Sequence, residues 1–362
     1  MALNTPDKPL AAAKSSPDKS TIELATTDSA AATIPAFTLP ESSLLSERSK
    51  QALADYRQAL MASGEQITKA LADIPAEDHA QRRTQEAQCF YQQPFYQTLL
   101  ECYPVTIEQR TLGGVLCEVF TPVVIEGSVP DDRVLLNFHG GSFQFGARTN
   151  SHLESIPVAA LSGLRVISVD YRMSPEYQYP AATKDAVAVY QALLAEYAPT
   201  HIGVFGSSAG ASLSAMLIAN LLERGQPLPA AVGLFACGAI HWQEGDYHAI
   251  GAALLKGVSN YELAPKGQHP YFKNVACDDV QAFPGYSPEA MAAFPPTLCI
   301  SSTRDFALSA VVHTHSQLVE QGVAAQLHIW EGLEHVFHYN PYLPEAHAMH
   351  SRVAKWFKQR LV

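Results

Sequence analysis

The chain has 362 residues, of which 47% are hydrophobic and 16% charged, and its formal net charge is −11. This composition allows a sizeable core and excludes global disorder, while the negative charge argues against a nucleic acid or an anionic membrane surface as a partner. We also expect no membrane insertion, because no apolar run reaches the roughly 18 residues that a spanning helix requires.

The cysteines and the start of the chain bear on its location. Six cysteines are scattered without a C-x-x-C pair. Cys117, Cys237 and Cys299 lie in apolar, strand-like runs and are predicted to be buried free thiols. No basic segment followed by an apolar core begins the chain, so a secretory signal is not predicted. Together these features predict a cytoplasmic protein.

The first hundred residues are predicted to form a tail followed by a helical region. Residues 1–43 are rich in Ala, Ser, Thr and Pro without a sustained apolar period, which predicts a flexible tail. Residues 44–101 carry apolar residues at helical spacing and are predicted to be a helical cap region. We expect this region to be interrupted around Ala62-Ser63-Gly64 and broken at Gln92-Gln93-Pro94.

Residues 102–362 are predicted to form one α/β domain. Gly113-Gly114 joins two strands as an antiparallel hairpin. Continuous apolar strands then alternate with helices, which is typical of a mostly parallel sheet with helices on both faces. The predicted strands are 105–112, 115–121, 134–138, 166–169, 202–205, 232–237, 298–301 and 325–330, and the predicted helices are 181–197, 209–224, 308–321 and 345–360. The insert at 238–296 is too long for a simple connection and is expected to contribute to a pocket.

A candidate nucleophile lies in a strand–turn–helix segment. Gly206-Ser207-Ser208-Ala209-Gly210 matches the G-x-S-x-G pattern between an apolar strand and a helix. Small residues permit a sharp turn that exposes the hydroxyl of Ser208 at the helix N-terminus, where unpaired N–H groups favour negative charge. The alternative is a turn that only packs a strand closely against a helix.

An activated serine also needs a base and a group that orients the base. Asp305 and His335 each follow a predicted strand, so both are expected at the same edge of the sheet as Ser208. Their order in the chain, Ser then Asp then His, is the order of the α/β-hydrolase arrangement. Two alternatives stay open: His338 could be the base, and Asp305 could only cap a helix or pair with Arg304.

The segment His139-Gly140-Gly141-Ser142-Phe143 follows the apolar strand 134–138. Glycine N–H groups can approach an oxyanion closely, so the N–H groups of Gly140, Gly141 and Ala209 are predicted to form an oxyanion hole. The alternative is a glycine-rich turn without a chemical role. His139 is expected to hold the shape of this loop through a hydrogen bond.

Other chemistry-bearing residues receive structural or secondary roles. Asp170 and Arg172 are predicted to pair and fix a loop. Six aromatic residues are expected either to line the pocket or to pack the cap on the core: Phe90, Tyr91, Phe95, Tyr96, Trp242 and Tyr247. No metal site is predicted, because His313 and His315 would not share a helix face, and no phosphate-binding glycine motif is present.

Five motifs in order make residues 100–362 resemble the hormone-sensitive-lipase-like family of α/β-hydrolases. They are His139-Gly140-Gly141-Ser142-Phe143, Asp170-Tyr171-Arg172 with Pro175-Glu176 and Tyr179 to Asp185, Gly206 to Gly210, Arg304-Asp305, and Gly332 to Phe337. The resemblance implies an α/β-hydrolase fold, carboxylic ester hydrolysis without a cofactor, and N-terminal helices that form a cap. The chain departs from the family at Ser142, where a third glycine is usual, and at Ser207, where Asp or Thr is frequent. It also departs at Asp305-Phe-Ala-Leu-Ser309, where D-P-L-x-D is usual.

The sequence therefore predicts a serine carboxylesterase that acts on small ester substrates with short- to medium-chain acyl groups through a covalent acyl-enzyme. Ser208 is the expected nucleophile, His335 the base and Asp305 the orienting acid. An amidase or a sugar-acetyl esterase on the same triad is the first alternative, and a non-catalytic ligand-binding receptor of the same fold is the second. The resemblance also suggests a homodimer built through the last strand and helix.

Overall fold

A computed structural model describes residues 36–123, 132–258 and 268–361, with the side chains of 255–258 left out. Most of the predicted tail therefore lies outside the described residues. The chain divides into two units, residues 1–40 and 41–362, and every element below belongs to the second.

The centre of this unit is one eight-stranded sheet with the order β1-β2-β4-β3-β5-β6-β7-β8. The strands are β1 Val105–Leu112, β2 Val115–Pro122, β3 Val134–Phe138, β4 Arg165–Val169, β5 Ile202–Ser207, β6 Ala231–Phe235, β7 Thr297–Arg304 and β8 Ala325–Glu334. Strand β2 runs antiparallel to both β1 and β4, and the other pairs are parallel. The predicted fold class, a mostly parallel α/β sheet, is confirmed.

Ten α-helices occur in the described part of the chain. They are α1 Glu47–Ala70, α2 His79–Tyr91, α3 Pro94–Cys102, α4 Asn150–Ser162, α5 Ala181–Leu193, α6 Ala209–Glu223, α7 Asp246–Val258, α8 Pro288–Ala292, α9 Leu308–Glu320 and α10 Pro344–Lys358. The predicted break before Pro94 is present between α2 and α3. The predicted interruption at Ala62-Ser63-Gly64 is wrong, because α1 runs through these residues and Gly64 is the only strong helix breaker among them.

The strand side chains alternate between two cores, one on each face of the sheet. On one face, Leu135 and Phe205 pack with residues of α4 and α10. On the other face, Leu136 and Val204 pack with residues of α5 and α6, and a third cluster adds α9. The predicted placement of helices on both faces is confirmed, and the sheet is buried along its middle strands as parallel sheets require.

Helix α4 is one of three helices that the sequence pattern did not predict, together with α7 and α8 of the insert. Nearly all of its side chains are buried, from Ser151 to Ala159, so it lacks the polar stripe that produces a 3.6-residue period. Pro157 also lies inside it and reads as a helix breaker. This omission matters because α4 carries Glu154, which lies next to the candidate site.

The N-terminal helices pack beside the carboxyl end of β8. Ser49 Oγ donates a hydrogen bond to Glu345 over 2.7 Å, and Asn340 Nδ2 donates to the Ala52 carbonyl over 3.1 Å. Arg57 forms an ion pair with Glu334, the last residue of β8. These contacts place α1 against α10 and against the loop that follows β8.

All six cysteines are free, and Cys117, Cys237 and Cys299 are buried as predicted. No helix among the described residues is both long and apolar enough to cross a membrane.

Candidate active site

Three strand ends bring the predicted serine, acid and base together. Ser208 follows β5, Asp305 follows β7 and His335 follows β8 without an intervening residue. His335 Nε2 lies 2.9 Å from Ser208 Oγ, and His335 Nδ1 lies 2.7 Å from Asp305 Oδ1. Because parallel strands end at one edge of the sheet, residues nearly 130 positions apart form one hydrogen-bonded chain.

The turn that carries Ser208 is strained and tightly packed. Ser208 has φ 54° and ψ −120°, a positive φ that a side chain disfavours. A Cβ atom on Gly206 would lie 2.4 Å from the Phe138 carbonyl oxygen, and one on Gly210 would lie 1.7 Å from the same oxygen. Only glycine fits at these two positions, so the turn holds Ser208 at the start of α6 with its hydroxyl turned to His335.

Asp305 is fully buried and its carboxylate oxygens have defined donors. Oδ1 accepts from His335 and from the Ala307 N–H at 2.8 Å, and Oδ2 accepts from Ser301 Oγ at 2.7 Å. The carboxylate therefore both fixes the turn before α9 and orients His335.

His338, the alternative base, points elsewhere. It is buried, and its Nε2 lies 2.9 Å from the hydroxyl of Ser207, not from that of Ser208. Burial lowers the pKa of His338 well below its usual value, which keeps the ring neutral. The two neighbouring serines thus have different histidine partners, and the structure brings only Ser208 to the Asp305–His335 pair.

The glycine loop after β3 requires one correction to the predicted oxyanion hole. The Gly140 N–H donates to Glu154 Oε1 over 2.8 Å, so it is already occupied inside the protein. Among the described residues, no acceptor takes the N–H groups of Gly141 and Ala209. Ser142, with φ 50°, and Ala209 both line the cavity at Ser208. The prediction that Gly140 donates to an oxyanion is therefore wrong, while Gly141 and Ala209 remain available.

His139 is buried beside this loop and contacts its backbone. Its Nδ1 lies 2.9 Å from the Gly140 carbonyl oxygen, and its ring stacks on Tyr171 at a centroid distance of 4.3 Å. Burial lowers the pKa of His139 to about 4, so the ring stays neutral. The Tyr171 hydroxyl donates to the His139 carbonyl over 2.7 Å. This geometry fits the expected role of His139 in holding the shape of the loop. Tyr171 also supports the loop, a role that its motif Asp170-Tyr171-Arg172 did not indicate.

The predicted pair of Asp170 with Arg172 does not form. Asp170 instead lies 3.5 Å from Arg148, and Arg172 makes a short ion pair of 2.7 Å with Asp185. Both residues follow the end of β4, where the alternation of a strand no longer sets side-chain directions, and each pairs with a charge from another part of the chain.

A cavity of about 300 Å³ opens at the serine and the histidine. Its walls come from the glycine loop, the start of α6, the turn before α9 and the 238–296 insert. The residues that line it are Ser142, Phe143, Gln144, Ser208, Ala209, Ser212, Ala236, Cys237, Trp242, His269, Pro270, Phe306, Ala307 and His335. The insert therefore contributes Trp242, His269 and Pro270 to the cavity.

Of the six aromatic residues expected near the pocket, only Trp242 lines this cavity. Phe90, Phe95 and Tyr96 are buried in the core beneath the N-terminal helices, and Tyr91 packs against that core. Tyr247 lines a separate, open cavity of about 1230 Å³. The alternative, in which the N-terminal aromatics pack the helical region on the core, is the correct one.

The second helix nevertheless contacts the rim of the site. Arg83 on α2 donates to the Gln144 carbonyl over 3.1 Å and pairs with Glu176. Gln144 belongs to the cavity wall. No cluster of His, Cys, Asp and Glu suited to a metal ion occurs within the ranges that the structure describes.

Comparison with known proteins gives consistent matches. Residues 135–339 match the family model Abhydrolase_3, described as alpha/beta hydrolase fold. An acetyl-hydrolase of Streptomyces hygroscopicus is 30% identical over 232 residues, which are 59% of this chain and 72% of that protein. The crystal structure of an esterase named E25 superimposes with a TM-score of 0.70 at 27% identity, covering 92% of this chain and 99% of that chain.

A crystal structure of an esterase from the bacterial hormone-sensitive lipase family matches with a TM-score of 0.69 and covers 88% of this chain and 99% of that chain. At 22% identity this likeness concerns the fold.

Proposed function

The chain belongs to the α/β hydrolase fold family matched over residues 135–339, and we propose that it is a serine carboxylic ester hydrolase for short- to medium-chain acyl esters. The observation that carries the proposal is the hydrogen-bonded chain from Asp305 through His335 to Ser208, which ends in a cavity. The similarity to an acetyl-hydrolase and to an esterase supports ester hydrolysis.

In the proposed acylation step, Ser208 Oγ attacks the ester carbonyl carbon while its proton passes to His335 Nε2. The Asp305 carboxylate accepts the Nδ1–H of His335 and stabilises the imidazolium that forms. The tetrahedral intermediate then collapses, the bond to the alkoxy oxygen breaks, and His335 gives its proton to the departing alcohol. Water then attacks the acyl carbonyl carbon while His335 takes its proton. The second tetrahedral intermediate collapses, the bond to Ser208 Oγ breaks, and His335 returns the proton to Ser208 as the carboxylic acid leaves.

The oxyanion of each tetrahedral intermediate needs preorganised donors. We assign this role to the N–H groups of Gly141 and Ala209, with the backbone at Ser142 forming the adjacent cavity wall. Ala209 is the first residue of α6, where the helix N-terminus favours negative charge. Loss of one such donor typically lowers turnover by about 10²–10³.

The cavity wall supports a small acyl group. Phe143 and Trp242 provide apolar surface, and Trp242 stacks on His241 at 4.1 Å and meets His269 edge-on at 5.0 Å. At about 300 Å³, the cavity lies at the small end of the roughly 300–1,000 Å³ that ligand pockets span. We therefore expect acyl chains of about two to six carbons to be preferred.

Hydrolysis of p-nitrophenyl esters from acetate to palmitate tests the proposal. We expect the highest kcat/KM on the short esters and a loss of nearly all activity in Ser208→Ala. Ser214→Ala is the matched control, because it also removes a serine hydroxyl, here from α6, which begins just after Ser208. Ser214 Oγ donates only to the Gly210 carbonyl. Equal turnover by Ser208→Ala and the wild type would rule out the mechanism.

The same assay distinguishes the alternatives. An amidase would cleave a p-nitroanilide at least as well as the matching p-nitrophenyl ester, and a sugar-acetyl esterase would favour acetylated sugars over p-nitrophenyl acetate. A ligand-binding receptor would turn over none of them. The intact hydrogen bonds of Ser208, His335 and Asp305 favour an enzyme over a receptor.

A further inference from the structure

Glu154 places a buried carboxylate between the glycine loop after β3 and the turn that follows His335. It lies on α4 and only 2% of its surface is exposed. Its Oε1 accepts from the Gly140 N–H at 2.8 Å and from the Tyr339 hydroxyl. Its Oε2 accepts from Asn137 Nδ2 at 2.9 Å, and the Ser207 hydroxyl faces this carboxylate and lowers its pKa. A group so fully buried requires such donors to remain in place.

The groups around this carboxylate come from separate parts of the proposed catalytic machinery. Gly140 belongs to the loop that follows β3, Ser207 directly precedes the proposed nucleophile, and Tyr339 lies in the turn that follows His335. Glu154 is hydrogen-bonded to the first and the last of these segments, and the Ser207 side chain faces its carboxylate. Glu154 therefore connects the donor loop, the nucleophile turn and the histidine loop through one group.

The packing around Gly140 leaves no freedom for an alternative arrangement. A Cβ atom on Gly140 would lie 2.6 Å from the Tyr339 hydroxyl and 2.9 Å from the Ser207 carbonyl oxygen. The three segments thus meet within contact distance at this residue. The Gly140 N–H anchors the peptide plane between His139 and Gly140. The next plane carries the Gly141 N–H, and its carbonyl, that of Gly140, accepts from His139 Nδ1 at 2.9 Å and from Asn150 Nδ2 at 3.3 Å. Both peptide planes at Gly140 are therefore held.

We propose that Glu154 is a positioning residue for the oxyanion hole: its carboxylate holds the loop at Gly140 so that the Gly141 N–H faces the carbonyl oxygen of the ester that Ser208 attacks. This inference rests on the proposed ester hydrolysis. The energetic cost of the arrangement is visible in the group itself, because burial raises the pKa of Glu154 to about 7 against the opposing effect of its donors. Apart from its donors, Tyr171 also faces this carboxyl, and His338 faces it through Ser207.

If Glu154 positions the oxyanion hole, its replacement should weaken the binding of the transition state and leave the binding of the substrate nearly unchanged. In Glu154→Ala the Gly140 N–H loses its acceptor, so we expect kcat on p-nitrophenyl butyrate to fall by about 10² while KM changes less than about threefold. Glu154→Gln keeps an acceptor for Gly140 and Tyr339 but places an amide N–H₂ opposite Asn137. We expect a smaller loss of about tenfold for this variant.

A double variant provides a rescue. Asn137→Asp in the Glu154→Gln background restores an acceptor opposite the new amide, and the Ser168 hydroxyl can still donate to residue 137 as it does to Asn137. We expect the double variant to regain most of the kcat that Glu154→Gln loses. Ile156→Ala is the control for damage to α4, since it removes a fully buried side chain from the same helix without touching the carboxylate.

A transition-state analogue gives a readout that does not require turnover. Ser208 Oγ adds to the carbonyl carbon of 1,1,1-trifluoro-2-butanone, its proton moves to His335, and the former carbonyl oxygen becomes an oxyanion in the hole. We expect the affinity for this ketone, measured by ¹⁹F NMR, to fall in parallel with kcat/KM across the Glu154 variants. Ile156→Ala should lower the melting temperature but keep the ketone affinity.

The outcomes separate the two proposals. If the wild type hydrolyses no ester, the proposed function fails, and the ketone series still decides the role of Glu154. If Glu154→Ala folds and keeps wild-type kcat and ketone affinity, or if Ile156→Ala loses as much of both, Glu154 is not a positioning residue. If Glu154→Ala does not fold, Glu154→Gln and its double variant decide by the same criteria.

Discussion

At the scale of single residues, Asp305 shows how one oxygen can serve structure and chemistry together. Its Oδ1 accepts from both the Ala307 N–H and His335 Nδ1. The bond to Ala307 fixes the orientation of the carboxylate. In the proposed mechanism the carboxylate in turn selects the tautomer with the proton on Nδ1, which leaves Nε2 free to accept from Ser208. The two roles weighed for Asp305 from the sequence, turn cap and orienting acid, therefore do not compete.

Asp305→Asn tests this orienting role. An amide can present an N–H₂ group to Nδ1 and favour the wrong tautomer, so kcat on p-nitrophenyl butyrate should fall by about 10³–10⁴ with little change in KM. Asp78→Asn is the matched control, because Asp78 only caps α2 and Asn caps a helix equally well. A loss below tenfold in Asp305→Asn would contradict the assignment.

Trp242 and Tyr247 form a second matched pair. Both lie in the insert, but Trp242 lines the cavity at Ser208 whereas Tyr247 lines a different one. Trp242→Ala removes a large part of the wall, so the ratio of kcat/KM for p-nitrophenyl octanoate over butyrate should rise by about tenfold or more. Tyr247→Ala should leave the ratio unchanged, and a similar rise in both variants would mean that the insert loosens as a whole.

At the scale of elements, the closing helix α10 packs against β5 at Gly203 and Phe205. Phe357 is fully buried on this helix and meets Phe205 of β5 with ring centroids 5.9 Å apart. Strand β5 leads directly into Ser208, so the packing of α10 supports the strand that presents the nucleophile.

Removal of the Phe357 side chain should therefore destabilise the folded protein. We expect Phe357→Ala to lower the free energy of unfolding by about 3–5 kcal/mol, through lost burial and the cavity left behind. The measurement is urea unfolding, with the adjacent exposed Lys358→Ala as a control that should change stability by less than about 0.5 kcal/mol. A loss under about 1 kcal/mol for Phe357→Ala would mean that the fold does not depend on the packing of α10 against β5.

At the scale of the whole molecule, buried neutral histidines make stability depend on pH. Burial lowers the pKa of His139 and His269 to about 4 and that of His350 to about 3. Between these values and 6.5 the unfolded chain binds protons that the folded chain does not, so stability falls as the pH falls through this window. Glu154 acts in the opposite direction, because a carboxyl with a raised folded pKa loses stabilisation as the pH rises from 4.5 to about 7.

His350→Leu isolates one of these contributions. The wild type should lose stability between pH 7.5 and pH 4.5, and the variant should lose about 2–3 kcal/mol less, since the folded protein no longer excludes that proton. Urea unfolding at both pH values measures the difference. Equal pH dependence in wild type and variant would show that His350 is protonated in the folded state.

The sequence by itself determined the succession of strands along the chain, the fold class and the residues of the hydrogen-bonded chain. Apolar runs, glycine turns and a serine, an acid and a histidine each placed just after a strand are local patterns, and parallel strands bring their carboxyl ends to one edge whatever the loops between them do. This is why Ser208, Asp305 and His335 could be chosen before any distance was known.

Only the tertiary structure decided which partner each polar or aromatic group contacts inside the protein. The Gly140 N–H was predicted as a donor to substrate, but Glu154 from an unpredicted, fully buried helix takes it. Likewise Asp170 and Arg172 found separate partners, and the N-terminal aromatics packed into the core and not the pocket. Hydrogen bonds between segments distant in sequence depend on packing geometry in three dimensions, and a one-dimensional period carries no record of that geometry.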